Sequence, residues 1–235
     1  MAARGGDIAA LSHALNSLPA EPAASELLVT FGSASIAPFV ANWIQNLRAL
    51  GHHAVLIGAL DNATYAACLM AQVPASRVID PGDPGGVGDG YFRKDYGRFK
   101  RMGVLKLIFL HGLLQALVAT GPTLRGVWVC DADMVWLSLP PPAWADHIAL
   151  RGAHIYLTSD CLDTKADARG ECVGASNFNT GVMNLRTSKE GCAFVSRWLE
   201  RMRRVGPEPW LDDQACRLQP TQPAQPAQPA QPAQH

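Results

Sequence analysis

The sequence of 235 residues has no surplus of charge of either sign, because 20 lysines and arginines balance 20 aspartates and glutamates. Proteins that bind nucleic acid normally show a basic patch or stripe, so the balance gives no reason to expect a nucleic-acid partner. The six cysteines include no Cys-x-x-Cys pair, which argues against a structural zinc site. Residues 1–25 hold no long apolar run. We therefore expect neither a signal peptide nor a membrane span in this chain.

The common phosphate-binding loops are also missing. The segment 81–90, PGDPGGVGDG, is rich in glycine, but it has neither the P-loop spacing nor the strand-to-helix context of a dinucleotide-binding loop. We predict a flexible loop there, either a plain surface loop or a lid over a site.

What the sequence does have is an alternation of strand-like and helix-like segments. The run ELLVTF (26–31) favours a buried strand, 36–50 has a helical periodicity that Gly51 ends, and 54–60 favours a second strand. Such a unit implies parallel strands and a right-handed crossover. Further helices are predicted at 63–71, at 96–119 and from Thr187, as N-cap, to about Arg204, and further strands at 77–80, 127–130, 153–158 and 177–186. The fold class is therefore α/β.

These signals divide the chain into three parts. Residues 1–25 are expected to be poorly ordered or to form a short helix at 8–18. Residues 26–218 form the folded domain, which is long enough for one sizeable core. From 219 to 235 the chain repeats Gln-Pro-Ala, and this pattern favours an extended, disordered tail that contributes nothing to the core.

The acidic pair Asp131 and Asp133 stands out because apolar runs flank it on both sides, VWVC before and MVWL after. Unpaired buried charge costs several kcal/mol per ion, so carboxylates at the end of a buried strand need a cation, a basic partner or an exposed strand end. Carboxylate oxygens suit Mg²⁺ or Mn²⁺, with a substrate diphosphate completing the coordination. The alternative is that both acids simply cap a turn.

Three further positions carry open alternatives. Lys106 lies in an otherwise apolar helical stretch, so its charge either reaches solvent or meets an anion in a cleft, and its spacing favours solvent. Gly181 lies inside a predicted strand, where a ligand or another backbone can approach closely. Cys161 and Cys172 flank a polar loop and would be able to form a disulfide in an oxidising compartment.

Taken in order, these features resemble the nucleotide-diphospho-sugar transferase family of plants and green algae, which includes retaining xylosyltransferases and arabinosyltransferases. The resemblance runs from about Leu27 to Ala215. It rests on LLVTFGSASIAPFVANWIQNLRALG, FKRMGVLKLIFLHGLLQAL, VCDADMVWLSLPP, SNFNTGVMNLR and LDDQA, which occur in the family's order.

The resemblance implies a GT-A fold, a Rossmann-like mixed sheet flanked by helices, and a divalent cation, Mn²⁺ or Mg²⁺, that bridges the phosphates of a UDP-sugar. Asp133 would ligate the metal directly, and Asp131 would contact the ribose or the metal through water. The other expected donor-binding residues are Thr30, Phe31 and Gly32 at the uridine, Lys106 near the diphosphate, and Asn179, Thr180 and Gly181 on the sugar and acceptor side. Asp213 and Gln214 would stand beside the anomeric carbon, and Asp213 or Asp160 is the candidate nucleophile.

The expected function is transfer of a pentose-type or galactose-type sugar, with retention, to a glycan or a hydroxyproline-rich glycoprotein of the cell wall, in the Golgi lumen. Enzymes of this kind generally supply another metal ligand, often a histidine, after the Asp-Gln motif. Here the Gln-Pro-Ala repeat occupies that place, so we expect a C-terminally incomplete domain. The alternatives are a catalytically inactive UDP-sugar-binding or interaction protein of the same fold and, with less support, a phosphohydrolase with a strand-D-x-D motif.

Overall fold

The structure is a computed structural model that describes residues 3–4, 7–19, 26–80, 95–120, 124–139, 152–159, 161, 163–169, 171 and 178–204. Its strands are β1 (Ala3–Arg4), β2 (Glu26–Gly32), β3 (Val55–Ala59), β4 (Val78–Asp80), β5 (Gly126–Cys130), β6 (Ile155–Ser159) and β7 (Phe178–Arg186). Its α-helices are α1 (Ile8–Asn16), α2 (Ala37–Ala49), α3 (Asn62–Met70), α4 (Tyr96–Thr120), α5 (Thr164–Ala168) and α6 (Lys189–Arg204).

The strands form one sheet in the order β1-β4-β3-β2-β5-β7-β6. The first five strands in that order are parallel, whereas β7 runs antiparallel to both β5 and β6. The predicted β2-α2-β3 unit is present, with Leu28 paired to Val55 in parallel register. The carboxyl ends of β2, β3 and β5 therefore share one edge of the sheet with the amino end of β7.

Helices cover both faces of the sheet. Successive residues of a strand point to opposite faces, and here the residues on both faces are apolar and pack against helices. In β2, Leu27 and Val29 face a core cluster shared with α1, α4 and α6. Leu28, between them, faces a second cluster shared with α2 and α3. Strand β5 alternates in the same way. The two clusters make a three-layer arrangement, and the predicted α/β class with helices flanking a mixed sheet is confirmed.

Helix α4 is apolar because it packs in the core of the fold. The segment Gly97–Thr120 is long and apolar enough to cross a membrane by length and composition, but 61% of its apolar window is buried within the fold. Phe109, Leu113 and Leu114 lie in the first core cluster, together with residues of α1 and α6. A core helix meets the same criteria, so α4 establishes no membrane span.

Predicted strand and helix ends agree with the structure to within two residues, but the predicted cap of the last helix is wrong. The side-chain oxygen of Ser188, not Thr187, accepts a hydrogen bond from the N–H of Gly191 at 3.0 Å. The N–H of Thr187 instead donates to the carbonyl of Arg125, which holds Thr187 beside the sheet. Glu190 is therefore the second helical residue and cannot complete a capping box.

Helices α2 and α3 end in the same hydrogen-bond pattern but with different residues in the left-handed position. After α2, Gly51 has φ +76° and the N–H of His52 donates to Leu47. After α3, Gln72 has φ +61° and the N–H of Val73 donates to Cys68. Glycine pays no Cβ penalty in this conformation, whereas other residues pay roughly 1–2 kcal/mol.

Gln72→Gly is accordingly expected to raise the free energy of unfolding by about 0.5–1 kcal/mol, because relief of the left-handed strain exceeds the unfolded-state entropy that glycine adds. Urea unfolding measures the change. The matched variant Gly51→Ala should lower stability by about 1 kcal/mol, since a Cβ there would meet no atom within 4 Å and only the backbone angle is penalised. An unchanged or lower midpoint for Gln72→Gly would contradict the expectation.

Candidate functional site

The predicted donor-binding residues converge at the carboxyl edge of the parallel strands. Strand β2 pairs with β5 so that Val29 lies opposite Val129. Strand β7 pairs antiparallel with β5 so that Val182 lies opposite Cys130. The residues that end β2, follow β5 and begin β7 are thereby brought together from three distant parts of the sequence.

Strand β7 is irregular at this edge. Leu157 and Thr158 are consecutive on β6, yet they pair with Met183 and Asn179 on β7. The three residues between them on β7, residues 180–182, therefore bulge out of the β6–β7 ladder, while Val182 stays paired with β5. A bulge re-aims the local backbone, and bulges occur frequently next to active sites.

Two carbonyls of the bulge face the D-x-D segment and α4. The carbonyl of Gly181 accepts the N–H of Asp131 at 2.8 Å, which extends the β5–β7 ladder into the acidic pair. The carbonyl of Thr180 accepts a long hydrogen bond from Nζ of Lys106 at 3.4 Å. The bulge thus contacts one acid and one base of the predicted site.

Gly181 allows the carboxylate of Asp131 to approach the backbone of β7. A Cβ at this position would lie 3.1 Å from Oδ2 of Asp131 and 2.6 Å from Oδ1 of Asn179. Oδ1 of Asn179 also accepts the N–H of Gly181. A close approach does occur at Gly181, but the approaching groups are side chains and not the predicted backbone, and approach of a ligand stays a prediction.

The spacing-based prediction that Lys106 reaches solvent is wrong. Its exposed fraction is 7%, and its Nζ lies 3.6 Å from Oδ1 of Asp131 and 5.9 Å from the centre of the Phe31 ring. Because α4 crosses the sheet at this edge, a side chain that points inward meets the acid after β5 and the aromatic ring of β2. The anion that Lys106 meets is the carboxylate of Asp131, and its contact with a diphosphate stays a prediction.

The acidic pair is accessible. The side chain of Asp131 is 55% exposed and Asp133 is exposed, whereas Ala132 between them is buried. Both therefore present hard oxygen ligands at the surface. Within the described residues, no group of three histidine, cysteine or acidic side chains could hold an ion. The pair fits a divalent cation in ligand type, provided that substrate oxygens fill the remaining positions.

Cys130, the last residue of β5, is no metal ligand candidate. It is buried in the second core cluster. Burial, with a smaller contribution from the negative charge of Asp131, raises the pKa of its thiol far above the usual value. Metal binding requires the thiolate, so the neutral thiol leaves the oxygen ligands alone at this edge. The predicted core role of Cys130 is confirmed, as is that of Cys68.

The predicted donor-binding residues at the end of β2 make contacts within the fold. Thr30 is fully buried, and its hydroxyl donates to the carbonyl of Cys130 at 2.8 Å. A Cβ at Gly32 would lie 2.4 Å from a methyl of Val40, so this glycine allows α2 to pack closely. Phe31 is half-buried and packs edge-on against Phe109 at 5.1 Å. Contact of this strand end with uridine stays a prediction.

Asp61, which was not among the predicted site residues, links two connections at the same edge of the sheet. Its Oδ1 accepts the N–H of Thr64 at 2.8 Å and caps α3, while its Oδ2 accepts the N–H of Ala34 at 2.6 Å. An aspartate directly before a helix signals the first bond. The second spans 27 residues, and no local pattern encodes it.

Several predicted residues lie outside the described residues, namely Asp160, Asp213 and Gln214, together with Cys172 and the glycine-rich loop 81–90. Cys161 is disulfide-bonded, whereas Cys68, Cys130 and Cys192 are free. The catalytic roles of the first three residues stay predictions.

A cavity of about 260 Å³ lies at the opposite edge of the sheet and is lined by Arg48, His52, His53 and Arg77 among others. The guanidinium of Arg48 donates to the carbonyls of residues 71 and 72 at the end of α3, and that of Arg77 donates to the carbonyl of His53. Arg48 thus offsets the negative end of α3, and Arg77 holds the connection that precedes β3. The cavity is therefore separate from the D-x-D edge.

Residues 50–227, more than half of the chain, match the family described as nucleotide-diphospho-sugar transferase. The chain belongs to this family. The D-x-D strand, strand β7 and the LDDQA motif lie within the matched residues, whereas the first motif of the resemblance begins before them. For a nucleotide-diphospho-sugar transferase, a mixed sheet covered by helices on both faces is the expected GT-A arrangement, and this prediction is confirmed.

The nucleotide-diphospho-sugar transferase chain is also similar to Arabinosyltransferase XEG113 of Arabidopsis thaliana. The two are 27% identical over 179 residues, which are 74% of this chain and 25% of that protein. The chain thus spans about a quarter of the length of this relative. The likeness supports the predicted relation to plant arabinosyltransferases.

Proposed function

We propose that this chain transfers a sugar of the pentose or galactose type from a UDP-sugar to a glycan or a hydroxyproline-rich glycoprotein, with retention, and that the reaction depends on Mn²⁺ or Mg²⁺. Family membership supports the nucleotide-sugar donor, and the likeness to an arabinosyltransferase supports a pentose. The observation that carries the proposal is the contact of buried Lys106 with Asp131 at the sheet edge, beside the bulge of β7.

Three of the described residues, Asp131, Asp133 and Lys106, would hold the diphosphate. Asp133 and Asp131 would hold the cation, which when bound supplies Lewis-acid neutralisation of the departing diphosphate. Lys106 keeps a positive charge at the same edge without exposing it to water, where screening would weaken it. Its Nζ donates to the carbonyl of Thr180 at 3.4 Å and forms an ion pair with Asp131 at 3.6 Å, beyond hydrogen-bond distance, so N–H donors remain for a phosphate oxygen. Positioning and electrostatics then carry most of the catalysis.

The remaining roles are proposed for residues outside the described part of the chain. Asp213 and Gln214 would face the anomeric carbon, and Asp213 or Asp160 would act as nucleophile if retention proceeds through a covalent intermediate. Work in the Golgi lumen on cell-wall acceptors is proposed from the likeness to a plant arabinosyltransferase. The disulfide of Cys161 agrees with an oxidising compartment but does not specify which one.

The test is a donor screen with the purified full chain. UDP-arabinose, UDP-xylose and UDP-galactose are each titrated by calorimetry with Mn²⁺ and with EDTA, and UDP release is then measured with and without a hydroxyproline-rich peptide. We expect one donor to bind in the presence of Mn²⁺, and we expect its turnover to fall to background with EDTA.

The possible outcomes separate the candidate functions. Binding without UDP release or transfer would identify the inactive UDP-sugar-binding protein. Transfer that persists unchanged in EDTA would overturn the metal dependence. A folded chain that binds no UDP-sugar under either condition would overturn the proposed function.

A further inference from the structure

The segment that carries the D-x-D acids is fixed by individual hydrogen bonds and not by a helix or strand. Residues 131–139 follow β5 and belong to no regular element. The start of the segment is fixed where the N–H of Asp131 donates to Gly181. Five residues later, Trp136 is fixed by Asn46, a half-buried residue of α2 that is 90 positions away in the sequence.

The contact between Asn46 and Trp136 is bidentate. Nδ2 of Asn46 donates to the carbonyl of Trp136 at 3.0 Å, and Oδ1 accepts the N–H of Trp136 at 2.7 Å. One side-chain amide thus replaces a neighbouring strand for this residue. Among side chains of this length, only asparagine offers a donor and an acceptor in that arrangement, since aspartate lacks the N–H groups when ionised.

The anchored residue is itself packed in the core. The indole of Trp136 meets that of Trp128 edge-on at 6.2 Å, and it lies against the second core cluster together with Met134. Along the segment, Asp131, Asp133 and Val135 are exposed while Ala132 is buried. The two acids therefore lie on the exposed side of a chain segment that is pinned at Asp131 and at Trp136.

We propose that Asn46 is a positioning residue for the metal and donor site, and that it sets the placement of Asp131 and Asp133 through the backbone of Trp136. This inference rests on the proposed function for its consequence in binding, but the anchoring itself does not. Two oxygen ligands on an unanchored segment would lose the fixed separation that a shared cation needs, and small misplacements at such sites are costly.

The experiment compares Asn46→Ala with Gln45→Ala, an amide removed from the neighbouring, exposed position of the same helix. Hydrogen–deuterium exchange is followed on peptides covering 131–139, and UDP binding is followed by calorimetry over a Mn²⁺ series. For Asn46→Ala we expect exchange at Trp136 to rise about tenfold, because the N–H of Trp136 loses its acceptor and its carbonyl loses its donor. The Mn²⁺ concentration that half-saturates UDP binding should rise about tenfold, a shift typical of losing a supporting residue at a metal site. Gln45→Ala should change neither.

Asn46→Asp is the second variant, since it keeps the size of the side chain and the acceptor for the Trp136 N–H while removing the donor to its carbonyl. It should shift exchange and Mn²⁺ midpoint in the same direction, because the carboxylate oxygen that replaces Nδ2 repels the carbonyl of Trp136 and loosens the contact, even if Asn46→Ala does not fold. Unchanged exchange in a folded variant would overturn the anchoring, and faster exchange with an unchanged Mn²⁺ midpoint would overturn the positioning role. If the wild-type chain binds no UDP with Mn²⁺, the proposed function fails, while the exchange result still decides whether Asn46 holds the segment.

Discussion

Asp133→Asn is expected to weaken Mn²⁺-dependent binding of UDP by about a hundredfold, which corresponds to about 3 kcal/mol. The amide is isosteric with the carboxylate but carries no charge, and a divalent cation prefers hard anionic oxygen. Asp133 is exposed, and it forms no hydrogen bond or ion pair within the described part of the chain. Its replacement should therefore leave the free energy of unfolding within about 0.5 kcal/mol. Calorimetry with UDP and Mn²⁺ gives the first quantity and urea unfolding gives the second.

Asp131→Asn should differ from Asp133→Asn in the stability measurement. Asp131 is the acid 3.6 Å from the buried ammonium of Lys106, so its neutralisation leaves a buried charge without its counter-charge. Removing one partner of a fully buried pair costs roughly 3–5 kcal/mol, and since the side chain of Asp131 is 55% exposed we expect about 1–2 kcal/mol here.

Glu200→Gln is the control for both aspartate variants, because it removes a carboxylate from the exposed face of α6. It should leave UDP binding unchanged. Equal UDP affinity for the wild type and Asp133→Asn, both measured with Mn²⁺, would remove the D-x-D pair from the metal site. Equal stability of the two aspartate variants would show that Lys106 does not depend on Asp131.

The order of elements was accessible from the sequence because each local signal agreed with its neighbours. Gly51 ended α2 as predicted, and the apolar run 127–130 became the strand that brings Asp131 to the edge. The direction of β7 was not accessible. Its apolar pattern is the same for parallel and antiparallel pairing, and only its neighbours β5 and β6 decide which one forms.

The site was predictable in its acids and unpredictable in what surrounds them. A D-x-D triplet between apolar runs identifies Asp131 and Asp133, but spacing along α4 could not tell whether Lys106 faces water or the interior. That choice depends on an acid 25 residues further along the chain. Asn46 gave no signal at all, because an asparagine in a helix is ordinary and its partner is a backbone group 90 residues away.

Lys106→Met is expected to change metal binding and nucleotide binding in opposite directions. Methionine fills a similar volume without charge. Opposite charges about 4 Å apart attract by roughly 4 kcal/mol near a protein surface, so the ammonium now competes with any cation that approaches Asp131. Its removal should tighten binding of Mn²⁺ alone about tenfold, the equivalent of about 1.4 kcal/mol. Loss of the same charge should weaken UDP binding at saturating Mn²⁺ by about tenfold to a hundredfold, as for a lost charged hydrogen bond of about 1.5–3 kcal/mol.

The opposite changes in Mn²⁺ affinity and UDP affinity distinguish a lysine that binds the donor from one with a structural role. A lysine that only neutralises Asp131 would give tighter Mn²⁺ binding and unchanged UDP affinity, whereas one that only supports the fold would lower stability and leave both affinities alone. Stability itself should hold, because the charge that is left, on Asp131, is 55% exposed and stays solvated. Lys100→Met, at a half-exposed position on the same helix, is the matched control and should move neither affinity. A Mn²⁺ affinity that is unchanged or weaker in Lys106→Met would contradict the competition between ammonium and metal for Asp131.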